Sequence, residues 1–204
     1  MAKKTKIMAV ADIHGDSSMA KKLAKKAKEE NVDVVIIAGD LTWIDSEMKD
    51  IVKPFEDAGK EVLLVPGNHE TNQTINEIAD AYKKTKNIHG YSIQKNDVGI
   101  FGAGYDPSSG PFWIDESEIF EKLKQGHKKI KNLDKKILVA HTIPKGSKGE
   151  LFGFPGSEAL TKAIKEFEPD IMISGHIHQA GGLQEKIGKT QVFHVGRKAK
   201  IFEI

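Results

Sequence analysis

Three short runs of apolar residues recur along the first third of the chain. They cover residues 7–11, 34–38 and 62–65, and no polar residue interrupts any of them. Unbroken apolar runs of this length are typical of parallel strands that are buried on both faces. A polar residue follows each run at intervals of 28 residues, close to the length of one strand, crossover helix and strand unit. We therefore predict three neighbouring parallel strands that bring these side chains to one edge of a sheet, namely Asp12, Asp40 and Asn68.

Between and after these strands, apolar residues recur at helical spacing, which predicts amphipathic helices. One helix follows Asp16, a second is capped by Ser46 and ends near Gly59, and a third is marked by residues 75–82. The residues of the second helix that would face the sheet are Met48, Ile51, Val52 and Phe55.

The middle of the chain is less regular. Residues 88–94 and 98–103 flank Asn96 and Asp97, a pattern that predicts a hairpin or two adjacent strands. A further helix opens at Asp115 or Ser117, and we expect Gly126 to interrupt it, because glycine is a poor helix former.

Two more apolar runs end in histidines. Residues 137–140 lead into His141, and residues 170–174 lead into Gly175-His176-Ile177-His178. Between them, Ser157 caps a helix that continues to about Phe167. The last part of the chain predicts antiparallel strands that return across the sheet, over residues 184–187, 191–195 and 200–204.

Composition narrows the class of protein. With 204 residues and no linker-like segment, the chain is expected to form one domain, residues 1–204. Lysine and arginine total 31 against 29 acidic residues, so the net charge of +2 gives no bulk attraction for nucleic acid or an anionic membrane. Because the chain has no cysteine, a metal would have to be held by histidine, carboxylate or amide oxygen.

The sequence also bears on localisation. The apolar run near the amino terminus has only five residues, which is too short for a signal peptide, and no run approaches the length of a membrane span. We therefore expect a soluble, cytoplasmic protein without a membrane partner.

Seven side chains that suit a metal all lie just after predicted strands. Their oxygen and nitrogen atoms suit Mn, Fe, Co, Ni or Zn. Seven ligands are too many for one ion, and two adjacent ions need a group that touches both, for which Asp40 on the central strand is the natural candidate. The predicted ligands are Asp12, His14, Asp40, Asn68, His141, His176 and His178.

The order of these motifs resembles that of the calcineurin-like metallophosphoesterases. The motifs are Asp12-Ile13-His14, Gly39-Asp40, Gly67-Asn68-His69-Glu70, His141 and Gly175-His176-Ile177-His178. The segment from Pro144 onwards is also similar to the single-domain prokaryotic branch of predicted phosphoesterases. This resemblance implies an α/β fold of the metallo-dependent phosphatase type, in which two packed mixed β-sheets form a β-sandwich core flanked by α-helices.

The resemblance also implies roles for individual residues. Asp40 would be shared by two ions, and a water or hydroxide between the ions would be the nucleophile. His69 would donate a proton to the leaving group or hydrogen-bond the phosphoryl oxygens. Glu70 would orient His69 or stabilise the metal ligands without binding the metal itself. The first ion would be held by Asp12, His14, Asp40 and His178, and the second by Asp40, Asn68, His141 and His176.

One position departs from the family pattern. Many phosphatases of this family have a second aspartate three residues beyond the shared one, where it pairs with the proton-donating histidine, but this chain has Trp43. Glu70 or Asp45 could replace that partner. Trp43 could stack on an aromatic or nucleobase leaving group, although a packing role is favoured. Lys145 and Lys148, in a glycine-containing loop after His141, are candidates for binding substrate phosphate.

Taken together, the sequence predicts a phosphoesterase that depends on two divalent metal ions, with manganese favoured and a phosphodiester favoured over a monoester. A nuclease with the same chemistry is one alternative, although the charge and length do not favour a nucleic-acid partner. A non-catalytic scaffold on the same fold is the other, but all seven ligand positions are kept. The expected partner is a small phosphate ester, and homo-oligomer formation stays open.

Overall fold

A computed structural model describes residues 4–46 and 50–204 of the chain. The described residues form two β-sheets with helices on their outer faces. In chain order the elements are β1 (Lys6–Val10), α1 (Ser17–Glu29), β2 (Val34–Ala38), α2 (Lys53–Asp57), β3 (Glu61–Val65), α3 (Asn72–Ala81), β4 (Thr85–Asn87), β5 (Ser92–Lys95), β6 (Val98–Ala103), α4 (Glu116–Lys128), β7 (Lys135–Ala140), α5 (Glu158–Phe167), β8 (Ile171–Ser174), β9 (Gln184–Ile187), β10 (Thr190–His194) and β11 (Lys200–Glu203). Short 3₁₀ turns cover Lys148–Phe152 and His178–Ala180.

The first sheet has the strand order β11-β1-β2-β3-β4. Strands β1, β2 and β3 are parallel neighbours, with Val10 opposite Ile37 and Ala38 opposite Val65. The prediction of three adjacent parallel strands, with β2 in the centre, is therefore confirmed.

The second sheet has the order β5-β6-β7-β8-β10-β9. Strands β5 and β6 form the predicted antiparallel pair. The prediction for the last three strands is partly wrong, because β10 runs parallel to β8 and β11 pairs with β1 in the first sheet. Apolar periodicity identifies a strand but carries no information about its direction or its neighbour.

Side-chain alternation explains why the central strands are apolar on both faces. Leu63 and Ile36 of the first sheet point towards Val139 of the second and form the core between the sheets. Leu64 and Ile37 point the other way, into the layer of α1, α2 and α3. On the far side, α4 and α5 cover the second sheet. The fold is thus two mixed sheets flanked by helices, as the resemblance implied.

Most helix boundaries follow the capping residues. The Asp16 carboxylate accepts the amide of Met19 at the start of α1, and the Ser157 hydroxyl accepts the amide of Leu160 at the start of α5. Gly126 does not interrupt α4 but lies buried inside it. A Cβ atom there would lie 2.7 Å from the Tyr91 carbonyl oxygen, so this glycine allows the backbone of a neighbouring loop to approach the helix.

Among the described residues, the second helix begins later than predicted. Helix α2 is a short segment whose cap is Val52, and Pro54 lies in its first turn, where a missing N–H is tolerated. The Ser46 hydroxyl donates to the Trp43 carbonyl in a tight turn instead of capping a helix. Met48 lies outside the described residues.

Strand β4, Thr85–Asn87, was not predicted from the sequence. It is polar and only three residues long, so no apolar run marks it. Over residues 4–46 and 50–204, no helix combines the length and the apolar character that crossing a membrane requires.

The position of Leu63 between the sheets can be tested by a matched pair of substitutions. Leu63 is fully buried, whereas Leu151 is 85% exposed. We expect Leu63→Ala to lower the free energy of unfolding by about 2–5 kcal/mol, and Leu151→Ala to change it by no more than about 0.5 kcal/mol. Chemical denaturation measures both values, and equal losses would contradict this assignment of the core.

Candidate metal centre

The seven predicted ligands meet where the carboxyl ends of the parallel strands of both sheets come together. Residues after β1, β2 and β3 come from the first sheet, and residues after β7 and β8 come from the second. The first sheet contributes Asp12, His14, Asp40 and Asn68, and the second contributes His141, His176 and His178.

One half of the cluster is formed by Asp12, His14 and His178. The Nε2 atoms of His14 and His178 lie 3.2 Å apart, and His178 Nε2 lies 3.9 Å from Asp12 Oδ1. The second carboxylate oxygen of Asp12 is buried and has no hydrogen-bond partner among the residues that the structure describes. Ligands of one ion at about 2.1 Å lie roughly 3 Å from each other, so these separations suit a shared cation.

The other half is formed by Asn68, His141 and His176. The Asn68 Oδ1 atom lies 2.8 Å from His141 Nε2 and 3.1 Å from His176 Nδ1. All three side chains are wholly or largely buried, so their facing polar atoms need a partner other than bulk water.

Asp40 lies between the two halves and contacts both. Its Oδ2 atom is 3.6 Å from His14 Nε2 and 3.4 Å from His141 Nε2. Its Oδ1 atom accepts the backbone amide of His69 at 3.0 Å. One carboxylate oxygen is therefore anchored to the backbone, and the other is placed to be shared between two cations.

The orientation of His141 suits a cation beside its Nε2 atom. Its Nδ1 atom lies 2.9 Å from the Ala38 carbonyl oxygen, so Nδ1 carries the proton and Nε2 of the neutral ring carries a lone pair. That lone pair faces the oxygens of Asn68 and Asp40. Burial alone would lower the pKa of His141, but Asp40 outweighs burial and raises that pKa to about 10. A divalent metal would bind the same three atoms, His141 Nε2, Asn68 Oδ1 and Asp40 Oδ2, without a proton on His141 Nε2. These residues therefore fit a metal.

Burial keeps the rings of His14 and His176 neutral. Burial lowers the pKa of His14 and of His176 to about 4, so both rings offer a lone pair at neutral pH. Burial raises the pKa of the Asp12 carboxyl to about 7. For Asp40 burial acts in the same upward direction, but His141 and His14 outweigh it and hold the pKa below its usual range.

The backbone at the ligands is strained, and glycines make room for them. Asp12, His14, Asp40 and His176 have φ angles between 49° and 67°, a conformation that costs side-chain-bearing residues about 1–3 kcal/mol each and that clusters at functional sites. A Cβ atom on Gly67 would lie 2.1 Å from Asp40 Oδ1. The motif glycine is therefore required by the close approach of the shared carboxylate.

Asp106 is a site residue that the sequence analysis missed. It is buried, and its Oδ2 atom accepts the Thr142 hydroxyl at 2.5 Å and lies 3.7 Å from His176 Nε2. The Ser109 hydroxyl lies 3.1 Å from the same His176 nitrogen. These contacts hold the His176 ring so that Nδ1 faces Asn68. Asp106 lies in an irregular loop with no motif of its own, so no sequence signal identified it.

Glu70 is buried, and its contacts favour the second of the two roles expected for it. Its carboxylate accepts the backbone amides of Leu41, Thr42 and Gly67 at 2.8–3.4 Å, and these bonds do not involve the His69 ring. Burial raises the pKa of Glu70 to about 8. The residue therefore ties together the loops after β2 and β3 that carry the ligands.

His69 is held by an aromatic ring instead of a carboxylate. Trp43 stacks on the His69 imidazole, with ring centroids 4.4 Å apart and planes 23° from parallel. Within the described part of the chain, His69 Nδ1 is buried without a hydrogen-bond partner. Asp45, the other expected partner, accepts the Thr71 amide. Trp43 remains 49% exposed, which leaves part of the indole open to solvent.

His69 also lies close enough to His14 and Asp40 to be considered as a ligand. Its place in the site can be separated from that of the ligands by counting bound ions. Of the two lysines proposed to bind substrate, Lys145 has an ion-pair partner, because its Nζ atom lies 2.5 Å from Glu158 Oε1. For Lys148 the backbone amide donates to Glu185, a bond that does not involve its ammonium group. Their substrate role stays a prediction.

The shared position of Asp40 yields a prediction about metal content. Asp40→Asn removes a negative charge between the two halves, so we expect the number of tightly bound Mn²⁺ ions to fall from two to one or none. His69→Ala should keep both ions. Equilibrium dialysis followed by elemental analysis measures the ratio, and loss of an ion from His69→Ala would show that His69 is a ligand.

Comparison with known proteins agrees with this geometry. The sequence matches the family described as calcineurin-like phosphoesterase over residues 5–180. It is 31% identical over 213 residues to the uncharacterized protein MJ1162 of Methanocaldococcus jannaschii, an alignment that covers 98% of this chain and 91% of that protein.

Solved structures show the same fold at low sequence identity. TT1561 of Thermus thermophilus matches with a TM-score of 0.79 and 17% identity over 99% of both chains. A dimetal phosphatase from Danio rerio matches with a TM-score of 0.64 and 12% identity, over 95% of this chain and 88% of that one. The family match covers most of the chain, and this protein therefore belongs to the calcineurin-like phosphoesterases, whose members hydrolyse phosphate esters with divalent metal ions.

Proposed function

We propose that this protein hydrolyses phosphodiesters in preference to phosphomonoesters. The family implies metal-dependent phosphoester hydrolysis and a dinuclear centre. We propose in addition which residues bind the two ions, which metal they bind and which class of phosphate ester is the substrate. The observation that supports hydrolysis at a two-metal centre is the position of Asp40 Oδ2, which lies 3.6 Å from His14 Nε2 and 3.4 Å from His141 Nε2 and so can serve two ions at once.

The proposed ligand sets follow the two halves of the cluster. Two divalent cations at this centre would supply Lewis acidity, lower the pKa of a bound water and offset charge on the phosphoryl oxygens. Mn²⁺ is the proposed metal, since the donor atoms are nitrogen and oxygen without thiolate. One ion would be held by Asp12, His14, Asp40 and His178, and the other by Asp40, Asn68, His141 and His176.

In this proposal His69 acts on the leaving group. Its backbone is tied to Asp40 and its ring is held flat against Trp43, so the imidazole has little freedom to turn away. Because Nδ1 is buried, Nε2 is the nitrogen that can reach a substrate. A protonated Nε2 would give its proton to the departing oxygen as the ester bond breaks.

The contacts of the single arginine support a diester. A phosphomonoester is a dianion at neutral pH, and enzymes commonly hold such a group with arginine forks. The single arginine of this chain is Arg197, which donates to the carbonyls of Asp12 and Ile13 and to the Asp16 carboxylate. It therefore stabilises the loop after β1, and a monoanionic diester needs less cationic support than a monoester.

A pair of substrates with the same leaving group tests the diester preference. With Mn²⁺ present, we expect kcat/KM for methyl p-nitrophenyl phosphate to exceed that for p-nitrophenyl phosphate by about tenfold or more, since the centre has no free guanidinium to hold a dianion. A chelator should abolish both activities, and added Mn²⁺ should restore them. The exposed-carboxylate variant Asp57→Asn serves as the control and should behave as wild type. A faster monoester reaction would contradict the preference.

The role of His69 can be tested by varying the leaving group. A phenolate needs a proton more than a p-nitrophenolate does, so His69→Ala should slow methyl phenyl phosphate more than methyl p-nitrophenyl phosphate, with a loss of about 10²–10⁴-fold on the former. Trp43→Phe keeps a stacking face on His69 and should retain most of the turnover. Equal losses of His69→Ala on both substrates would show that His69 does not donate the proton.

A further inference from the structure

A pocket adjoins the metal centre on the side of His176. It has a volume of about 270 Å³ and is lined by Pro107, Ser108, Ser109, Gly110 and Trp113. None of these residues belongs to the family motifs described above. The pocket is large enough for one aromatic ring system, and its wall includes an indole that is 60% exposed.

The loop that forms the pocket is the loop that supports the second half of the centre. Ser109 Oγ lies 3.1 Å from His176 Nε2, and the amide of Phe112 donates to the Asn68 carbonyl. Gly110 is packed so closely that a Cβ atom would lie 2.1 Å from Asn68 Nδ2. A group bound in this pocket is therefore next to the phosphate position that Asn68 and His176 define.

The pocket is also preorganised. Asp106 accepts the Ser108 amide and both serine hydroxyls at 2.7–3.1 Å. The Ser108 and Ser109 side chains are therefore held within the loop, and the apolar surfaces of Pro107 and Trp113 remain as the contact area. A rigid loop loses little entropy when a ligand binds.

A second aromatic side chain lies beside the same ligand. The Phe154 ring is 5.5 Å from the His176 ring in an edge-on arrangement and is 37% exposed. Large exposed aromatic side chains beside a polar metal centre offer stacking area to a flat ligand. His69 and Trp43, by contrast, adjoin His14 in the other half of the centre.

We propose that the pocket beside Trp113 binds a planar aromatic group on the ester arm of the substrate that does not leave. This inference rests on the proposed function, in which the departing oxygen lies near His69. A diester has a second arm that can reach the Trp113 side, whereas a monoester has none. The substrate class is thus a phosphodiester with an aromatic substituent, such as an aryl or nucleobase group, on its retained arm.

Two diesters that differ only in the retained arm test the pocket. Bis(p-nitrophenyl) phosphate has an aromatic retained arm, and methyl p-nitrophenyl phosphate has a methyl group in its place. Trp113→Ala should lower kcat/KM for the first substrate by about tenfold, the scale expected from one lost aromatic stacking contact, and leave the second unchanged. Trp113→Phe should restore most of the loss. Tyr91→Ala removes an aromatic ring that is also 60% exposed but does not line this pocket, and it should affect neither substrate.

The outcomes separate the pocket from the function. If wild-type protein cleaves both diesters and Trp113→Ala lowers both equally or neither, the pocket does not bind the retained arm. If the wild-type protein with Mn²⁺ cleaves neither diester, the proposed function fails, and a binding experiment decides on the pocket alone.

Binding can be read without turnover, because the chain has two tryptophans and Trp43→Phe leaves Trp113 as the single tryptophan, whose fluorescence can be excited selectively over that of tyrosine. Diphenylphosphinate carries two phenyl groups on bonds that are not hydrolysed, and dimethylphosphinate carries none. In the Mn²⁺-loaded protein, we expect saturable quenching of Trp113 by diphenylphosphinate only. Equal responses to both compounds, or no response to either, would overturn the proposal.

Discussion

The buried carboxylate of Asp40 is the group on which the arrangement of the site depends. One of its oxygens is bonded to the backbone of His69, and the other faces histidines that come from different sheets. A negative charge in that position is stable only beside cations. The left-handed backbone at Asp40 and the bare Cα of Gly67 allow it to sit there. Glu70 then stabilises the two loops whose ends must meet around it.

The central strands could be predicted, and the seven side chains proposed as ligands could be placed together, because both leave a local pattern. Each proposed ligand follows an apolar run, and parallel strands place their carboxyl ends at one edge. Other features depend on long-range contacts that a pattern does not encode. The turn at Ser46 is formed with Trp43, and β10 joins β8 in parallel although its sequence suits either direction. Asp106 gains its place only because its loop folds back onto His176.

The imidazole of His69, which we propose acts on the leaving group, is held by stacking on Trp43. A carboxylate partner would fix both the plane of the ring and the nitrogen that carries the proton. Stacking on an indole fixes the plane alone, and the buried Nδ1 atom of His69 meets no acceptor among the described residues.

The seven proposed ligands are divided between the sheets, four after strands of the first and three after strands of the second. Bound ions would consequently link the two sheets at the carboxyl ends of their parallel strands. Elsewhere the two sheets pack together through apolar side chains. Ions that bind the folded chain and not the unfolded one add to its stability by mass action. Depleting the cell of the metal would then weaken the architecture itself, and the supply of ions would govern how long the protein persists as well as how fast it works.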